Sequence, residues 1–233
     1  MTKGMRKDFQ REIKLNFSRF LSITLIVVLG VAFFSGLRAA KPAMQASADK
    51  QYDSENLMDI RVAGTLGMTD KDVDALKKVD GVQDAEGTYE QDFLCDTGNS
   101  EAVTKVMSLN DGISLVRVSE GRFPQGYNEC IADRSFLDAT GYKIGDTVKL
   151  TTGTDEKVSK YRATDEFTIV GVGTTSMYMD SDRGSAAIGT GRINGFLIVP
   201  KQAFTMSCYT SVHITVKDAM ALGCYSSDYT ELI

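Results

Sequence analysis

An unbroken apolar run, Phe20 to Leu37 (FLSITLIVVLGVAFFSGL), constrains this chain more than any other stretch. Its 18 residues carry no charge and are interrupted only by Ser22, Thr24, Gly30, Ser35 and Gly36. As a helix at ~1.5 Å per residue the run reaches roughly 27 Å, close to the hydrocarbon thickness of a bilayer. A lipid-facing backbone must satisfy its own hydrogen bonds, so one isolated span is expected to be helical. Lys3, Arg6, Lys7, Arg11, Lys14 and Arg19 precede it against Asp8 and Glu12, a net of +4. Of the chain's 26 basic and 31 acidic residues, 20 and 29 remain outside that segment, a net of −9. The asymmetry puts residues 1–19 in the cytoplasm, 20–37 in the membrane and almost everything else outside. A cleaved secretory signal is the first competing reading, because small residues lie at Ala39, Ala40 and Ala43. Its N-region would be too long, and the apolar run exceeds the ~7–15 residues of a signal core. A buried core helix, the second, is rarely apolar all round over this length.

Beyond the span, the remaining length suffices for one large or two small domains. Hydrophobic content of 42% and charged content of 24% are those of an ordinary globular exterior. The pI near 5.0 and the absence of Trp argue against a nucleic-acid partner. Cys95, Cys130, Cys208 and Cys224 show no CxxC or Cys/His spacing, so no metal site is expected. Disulfides are permitted on the outer side, but spacing does not give a pairing, and four small buried thiols is the plainer reading.

Met5, Phe9, Ile13, Phe17 and Phe20 recur at helical steps, with Lys7, Arg11, Lys14 and Arg19 off or beside that stripe. Residues 1–19 therefore read as an amphipathic basic helix on the inner lipid surface, or as an extension of the membrane helix. Residues 38–53 are Ala-rich and read as a helical neck. The exterior, 54–233, alternates between strands and helices. A strand at 59–63, a helix at 70–79 capped by Thr69, and one strand from Val82 through Leu94 make a β-α-β unit. Further strands are expected at 102–109, 130–132, 147–151, 165–172, 194–199 and 211–217, with 147–151 and 165–172 as a hairpin. A helix is expected near 135–140 and another at 219–222. Along the last strand Val212, Ile214 and Val216 are expected inward, with His213, Thr215 and Lys217 outward.

The stretch Arg117 to Leu150 (RVSEGRFPQGYNECIADRSFLDATGYKIGDTVKL) carries a family resemblance. Glu120-Gly121-Arg122-Phe123-Pro124 is similar to an xGRxP turn, and Asn128-Glu129-Cys130-Ile131 to a strand entry. Gly141-Tyr142-Lys143-Ile144-Gly145-Asp146 is similar to a second turn. Phe167 to Val172 resembles a strand ending in VGV, and Phe196 to Phe204 (FLIVPKQAF) a strand followed by an aromatic-ended turn. Together they resemble the MacB-like periplasmic core domain at the N-terminal end of FtsX-like ABC-transporter permeases. The resemblance implies an α+β chain with one N-terminal transmembrane helix and a two-lobed extracytoplasmic domain. A β-α-β lobe would be split by an inserted, mostly β lobe at about 95–202. It implies a C-terminal truncation within the second β-α-β half, leaving strand 211–217 with an unpaired edge. Further membrane helices of such permeases are not in this sequence. The Gly-rich stretch 176–195, longer than the common pattern, suggests a Gram-positive branch.

Chemistry-bearing motifs are few. No GxxxxGK(S/T) loop occurs, so the chain is not expected to hydrolyse ATP. The run Gly189 to Gly195 (GTGRING) precedes a strand, whereas a dinucleotide fingerprint must open a helix. Asp180 and Asp182 lack the closing Glu of a calcium loop. His213 has no nucleophile signature near it and reads as an exposed surface residue. No catalytic, cofactor-binding or metal residue is therefore expected. The resemblance implies a permease subunit coupling ATP hydrolysis by a separate cytoplasmic ATPase to outer work: efflux, lipoprotein release or mechanotransmission. Membrane lipid and a second permease copy or half are its other implied partners. The alternative is a single-pass anchored interaction module without transport; an extracytoplasmic enzyme ranks behind both.

Overall fold

The structure, a computed structural model, describes residues 3–97, 101–153, 158–180 and 182–233, with the side chains of 3, 6–10 and 159 left out. Phe9 of the apolar stripe and the charged groups of Lys7 and Asp8 thus lie outside the described residues, as does Ser181 of the Gly-rich stretch. The chain divides into two compact units, Met1–Ala48 and Asp49–Ile233.

In the first unit, α1 (Lys3–Leu15) leads into α2 (Phe17–Ser54), whose last turn belongs to the second unit. Backbone bonds Asn16 N to Glu12 O and Phe20 N to Asn16 O, both 3.0 Å, carry the helical pattern past Asn16. Span and neck are one helix of 38 residues, with Pro42 inside and no buried residue. Pro42 has no N–H, so the Arg38 carbonyl one turn earlier loses its helical partner. The Arg38 guanidinium lies 5.5 Å above the Phe34 ring, its apolar stem running back along the span. Among the described residues, α2 is the one helix long and apolar enough to cross a membrane.

The second unit runs β1 (Ile60–Val62), α3 (Asp70–Leu76), β2 (Val82–Thr88), β3 (Glu90–Asp96), β4 (Glu101–Ser108), β5 (Val116–Gly121), β6 (Glu129–Ala132), α4 (Arg134–Thr140), β7 (Thr147–Thr151), β8 (Glu166–Thr175), β9 (Gly195–Val199), β10 (Ser211–Val216) and α5 (Ser227–Leu232). It is a mixed α+β, sheet-rich unit.

Three strands form one sheet in the order β1-β10-β2, both outer strands antiparallel to β10. This corrects two expectations. The strand at 211–217 is central, not an unpaired edge, and β1 and β2 are not neighbours. Asp72 accepts from the Thr69 amide and hydroxyl, both at 2.7 Å, and opens α3. Val73 of α3 packs on Ala85 of β2 and on Val212 and Ile214, two of the three residues expected inward. The other face of β10 is buried as well: Ser211, His213 and Thr215 are at most 6% exposed.

The single strand expected over 82–94 is two strands, one in each sheet. At Tyr89 the backbone leaves the first ladder: its N–H donates to Ser108 Oγ at 3.1 Å and its carbonyl accepts from Ser108 N at 2.9 Å. The ring wedges between Phe204 and Tyr209, each with its centroid 4.9 Å away.

The other seven strands run β5-β8-β6-β9-β4-β3-β7, and β7 also pairs back onto β8. That pairing (Thr147 with Thr168, Val148 with Phe167, Lys149 with Glu166) is the expected hairpin. It closes β8-β6-β9-β4-β3-β7 into a six-stranded barrel, with β5, absent from the expected strands, added along the second half of β8. Alternate residues point inward, and Phe93, Cys95, Val106, Cys130, Val148, Leu150, Phe167, Ile169, Leu197 and Val199 form one buried cluster.

The turn motifs are structural. Arg122 grips Glu129 with two bonds of 2.7 and 2.6 Å, and Glu129 accepts from Gln125 N at 2.7 Å. Arg122 and the backbone donors hold the Glu129 carboxyl down at about 2. Gly121 is needed because its φ is +78° and a Cβ there would stand 2.3 Å from the Val170 carbonyl. The helix expected at 219–222 is a single 3-10 turn, Ala219–Ala221, after Asp218 at φ 63°. The last helix is α5, N-capped by Ser226, whose Oγ accepts from Tyr229 N at 3.1 Å.

Candidate functional site

Within the second unit, the end of α2 and the residues just after it, Ser54 to Asp59, are bonded to both sheets. Glu55 closes that turn and is only 3% exposed. Its Oε2 accepts from Ser176 N at 2.8 Å and Ser176 Oγ at 2.6 Å, just past the end of β8. Its Oε1 lies 3.4 Å from the Arg117 guanidinium on β5, and Arg117 also donates to Ser54 Oγ at 3.1 Å. The backbone continues the clamp, since Leu115 N donates to Glu55 O and Ser114 N to Asn56 O, both at 2.7 Å. A buried carboxylate needs such partners, because losing water without replacement costs several kcal/mol, on the order of 3–5 when a buried pair is broken.

Four residues further, Asp59 does the same for the three-stranded sheet. Its amide donates to Ile214 O at 2.9 Å, Oδ2 accepts from Val216 N at 2.7 Å, and Oδ1 accepts from Tyr229 Oη at 2.7 Å. Asp49 accepts from Cys224 N at 2.8 Å, and the Tyr52 and Tyr225 hydroxyls stand 3.5 Å apart. Between these groups lies a cleft of about 260 Å³, lined among others by Asp49, Tyr52, Asp53, Asp59, Met220 and Tyr229. Burial, then Asp49 and Asp59, push the Asp53 carboxyl up. The Tyr225 hydroxyl and then burial bring Tyr52 to about 12, while burial and Asp59 raise Tyr229. Burial, with Asp49 beside it, takes the Cys224 thiol to about 12, which keeps it protonated and unreactive. The arrangement is a mechanical junction of hydrogen bonds, with no activated nucleophile in it.

A second polar seam joins the two sheets. Glu86 of β2 accepts from Asp111 N and Gly112 N at 3.1 Å and from Ile113 N at 2.8 Å, and it pairs with Lys201. Burial opposes its charge, yet Lys201 and those amides hold its carboxyl below the ordinary range. His213, opposite Glu86 in register, corrects another expectation, because it is 0% exposed. Asn110 Nδ2 stands 3.5 Å from its Nδ1, so that nitrogen accepts and Nε2 carries the proton. Nε2 has no partner among the described residues. Burial first, then the Arg61 charge, depresses His213 to about 4.

The remaining singled-out residues do not converge. Asp182 Oδ1 accepts from Gly184 N at 3.0 Å, closing a turn, and Asp180 offers its carbonyl to Arg183. Arg183 in turn reaches buried Asp133 at 3.0 Å, which pins the Gly-rich stretch to α4. Gly189 to Gly195 runs directly into β9. All four cysteines are free thiols, Cys95 and Cys130 buried, Cys208 and Cys224 half-buried. Glu55, Asp59 and Glu86 were not legible as site residues: apart from Gln51, one turn before Glu55, their donors lie 25 to 170 positions away.

No family model and no curated protein matches this sequence. Among solved structures, the extracellular domain of the noncanonic ABC-type transporter YknZ from Gram-positive bacteria is similar at a TM-score of 0.44 and 14% identity, covering 74% of this chain and 87% of that one. The periplasmic region of MacB from Actinobacillus actinomycetemcomitans gives 0.40 and 12%, covering 73% and 77%. At these values the likeness transfers no residue role.

Proposed function

We propose that this chain is the anchored, extracytoplasmic part of an ABC-transporter permease. Its α2 helix would convey movements driven by a separate cytoplasmic ATPase to the outer unit. The observation that carries this is the junction: the last turn of α2 is bonded to β5 and the β8 end through Glu55. Just beyond that turn, Asp59 is bonded to β10 and α5. A helix end tied to one sheet directly and to the other through Asp59 passes displacement to both instead of sliding past either. The motifs from Glu120 to Phe204 support the same reading, and its outer work would be efflux, lipoprotein release or mechanotransmission. A second copy or half of the permease and the surrounding lipid complete the assembly.

The full chain, extracted in detergent from its native membrane, is expected to bring an ATP-hydrolysing subunit with it. ATP turnover by the pair is expected to fall several-fold in Glu55→Ala at unchanged co-purification. A chain that purifies free of any ATPase overturns the proposal. It would leave the anchored interaction module, which the single spanning helix among the described residues also suits. On the permease reading the chain itself binds no nucleotide. Calorimetric titration of the full chain with ATP and Mg²⁺ should show no binding heat, and micromolar affinity would refute it.

A further inference from the structure

The cleft beside the end of α2 has a lining that the junction's own hydrogen bonds leave unexplained. Three of its lining residues are carboxylates, Asp49, Asp53 and Asp59, and none is basic. Asp49 and Asp53 stand one helical turn apart, and like charges at that spacing oppose the helix that carries them. Asp49 accepts from Cys224 N, and Asp59 from Val216 N and the Tyr229 hydroxyl. The Asp53 carboxylate has neither a hydrogen-bonded nor a basic partner among the described residues. Thr215 of β10 is the second sign. It lines the same cleft and is 6% exposed, yet its hydroxyl has no hydrogen-bond partner among the described residues. A hydroxyl so enclosed has lost bulk water and gained no protein partner in exchange. Leu57, Met58, Val216, Met220 and Leu222 make the lining apolar beside these groups. No cluster of acids, Cys or His among the described residues has the makings of a metal site. At about 260 Å³ the cleft falls just below the ~300–1,000 Å³ of sites for drug-sized ligands, which fits a short chain.

We propose that this cleft binds a primary ammonium carried on a short apolar chain, with Asp53 and Thr215 meeting the ammonium and Met58 and Met220 the chain. An ammonium has three N–H donors and no acceptor, so it donates to a carboxylate and to a hydroxyl oxygen at once. Its charge also relieves the repulsion between Asp49 and Asp53. The full chain in a neutral detergent is titrated with hexylammonium chloride while the methyl NMR signals of Met58 and Met220 are followed. Both signals should shift saturably, and hexan-1-ol, which has the chain without the charge, should bind at least about tenfold more weakly. Asp53→Asn, at an exposed position, should weaken hexylammonium about tenfold. Thr215→Val, which keeps the branched shape that suits a strand, should weaken it about threefold. Equal affinity for hexan-1-ol, or a titration unchanged in Asp53→Asn, overturns the proposal. Nα-acetyl-lysine amide separates two sources of the ammonium: tighter binding than hexylammonium assigns it to a lysine side chain, weaker binding to a free amine. No ATPase takes part in these titrations, so their failure leaves the permease reading untouched, and the reverse holds too.

Discussion

His213 shows how a residue's chemistry here depends on what arrives from far along the chain. The groups around it are Asn110, Glu86, Arg61 and Lys201, and burial has taken it from an ordinary value near 6.5 to about 4. Its folded value lies below its unfolded one, so the unfolded chain binds the proton first. The stability it contributes is complete above about pH 6.5 and is lost as pH falls toward 4. The loss integrates to about 3 kcal/mol. Urea titrations of wild type and His213→Gln at pH 7 and pH 4 should diverge by about that amount, the wild type losing more. Parallel losses would sink the idea. Glu55 gives a prediction free of pH. Glu55→Ala leaves the Ser176 amide buried without its acceptor and should lower unfolding stability by about 2–4 kcal/mol, with Glu55→Gln costing less because it still accepts one bond. A change under about 0.5 kcal/mol would show that water replaces the carboxylate.

Among the elements, β10 departs furthest from its expected role. Its Val212, Ile214 and Val216 were legible as an inward face and α3 with its Thr69 start as a helix, but not that α3 packs on Val212 and Ile214. Its neighbours were not, because alternation reports which side chains are buried and says nothing about which strand pairs. The burial of His213 and Thr215 was equally hidden, since Asn110 in the loop after β4 meets His213 and Thr215 lines the cleft with Leu57 and Met58. Gly87, two residues before it, does not mark the break at Tyr89 by itself; a serine hydroxyl 19 residues away takes the backbone out of the ladder. By contrast, the 147–172 hairpin and α4 rest on local spacing, and there the sequence and structure coincide. A central strand with ladders on both sides should hold its amides. Exchange at Val212 to Thr215 is therefore expected to be as slow as at Ile169 to Val172. Fast exchange confined to 211–216 would restore the edge-strand reading.

For the whole molecule, the charge split argues topology. The segment before the span carries +4 and the rest −9, so a reporter fused at Met1 should fold in the cytoplasm and one fused after Ile233 outside it. Activity of the C-terminal fusion in the cytoplasm alone would remove the anchor reading. The order of strands in the three-stranded sheet has a consequence in time. β1 and β2 are made early, yet each pairs only with β10, which lies more than 120 residues after β2. A chain emerging from a ribosome or a translocation channel holds those two strands and α3 with no ladder to join until residue 216 is out. The barrel, whose strands all lie between residues 90 and 199, has every partner it needs before then. Within the second unit, folding is therefore expected to proceed from the barrel outward, with the three-stranded sheet the last part to become native. During that interval the apolar residues around α3 are the exposed surface that a holding chaperone would meet.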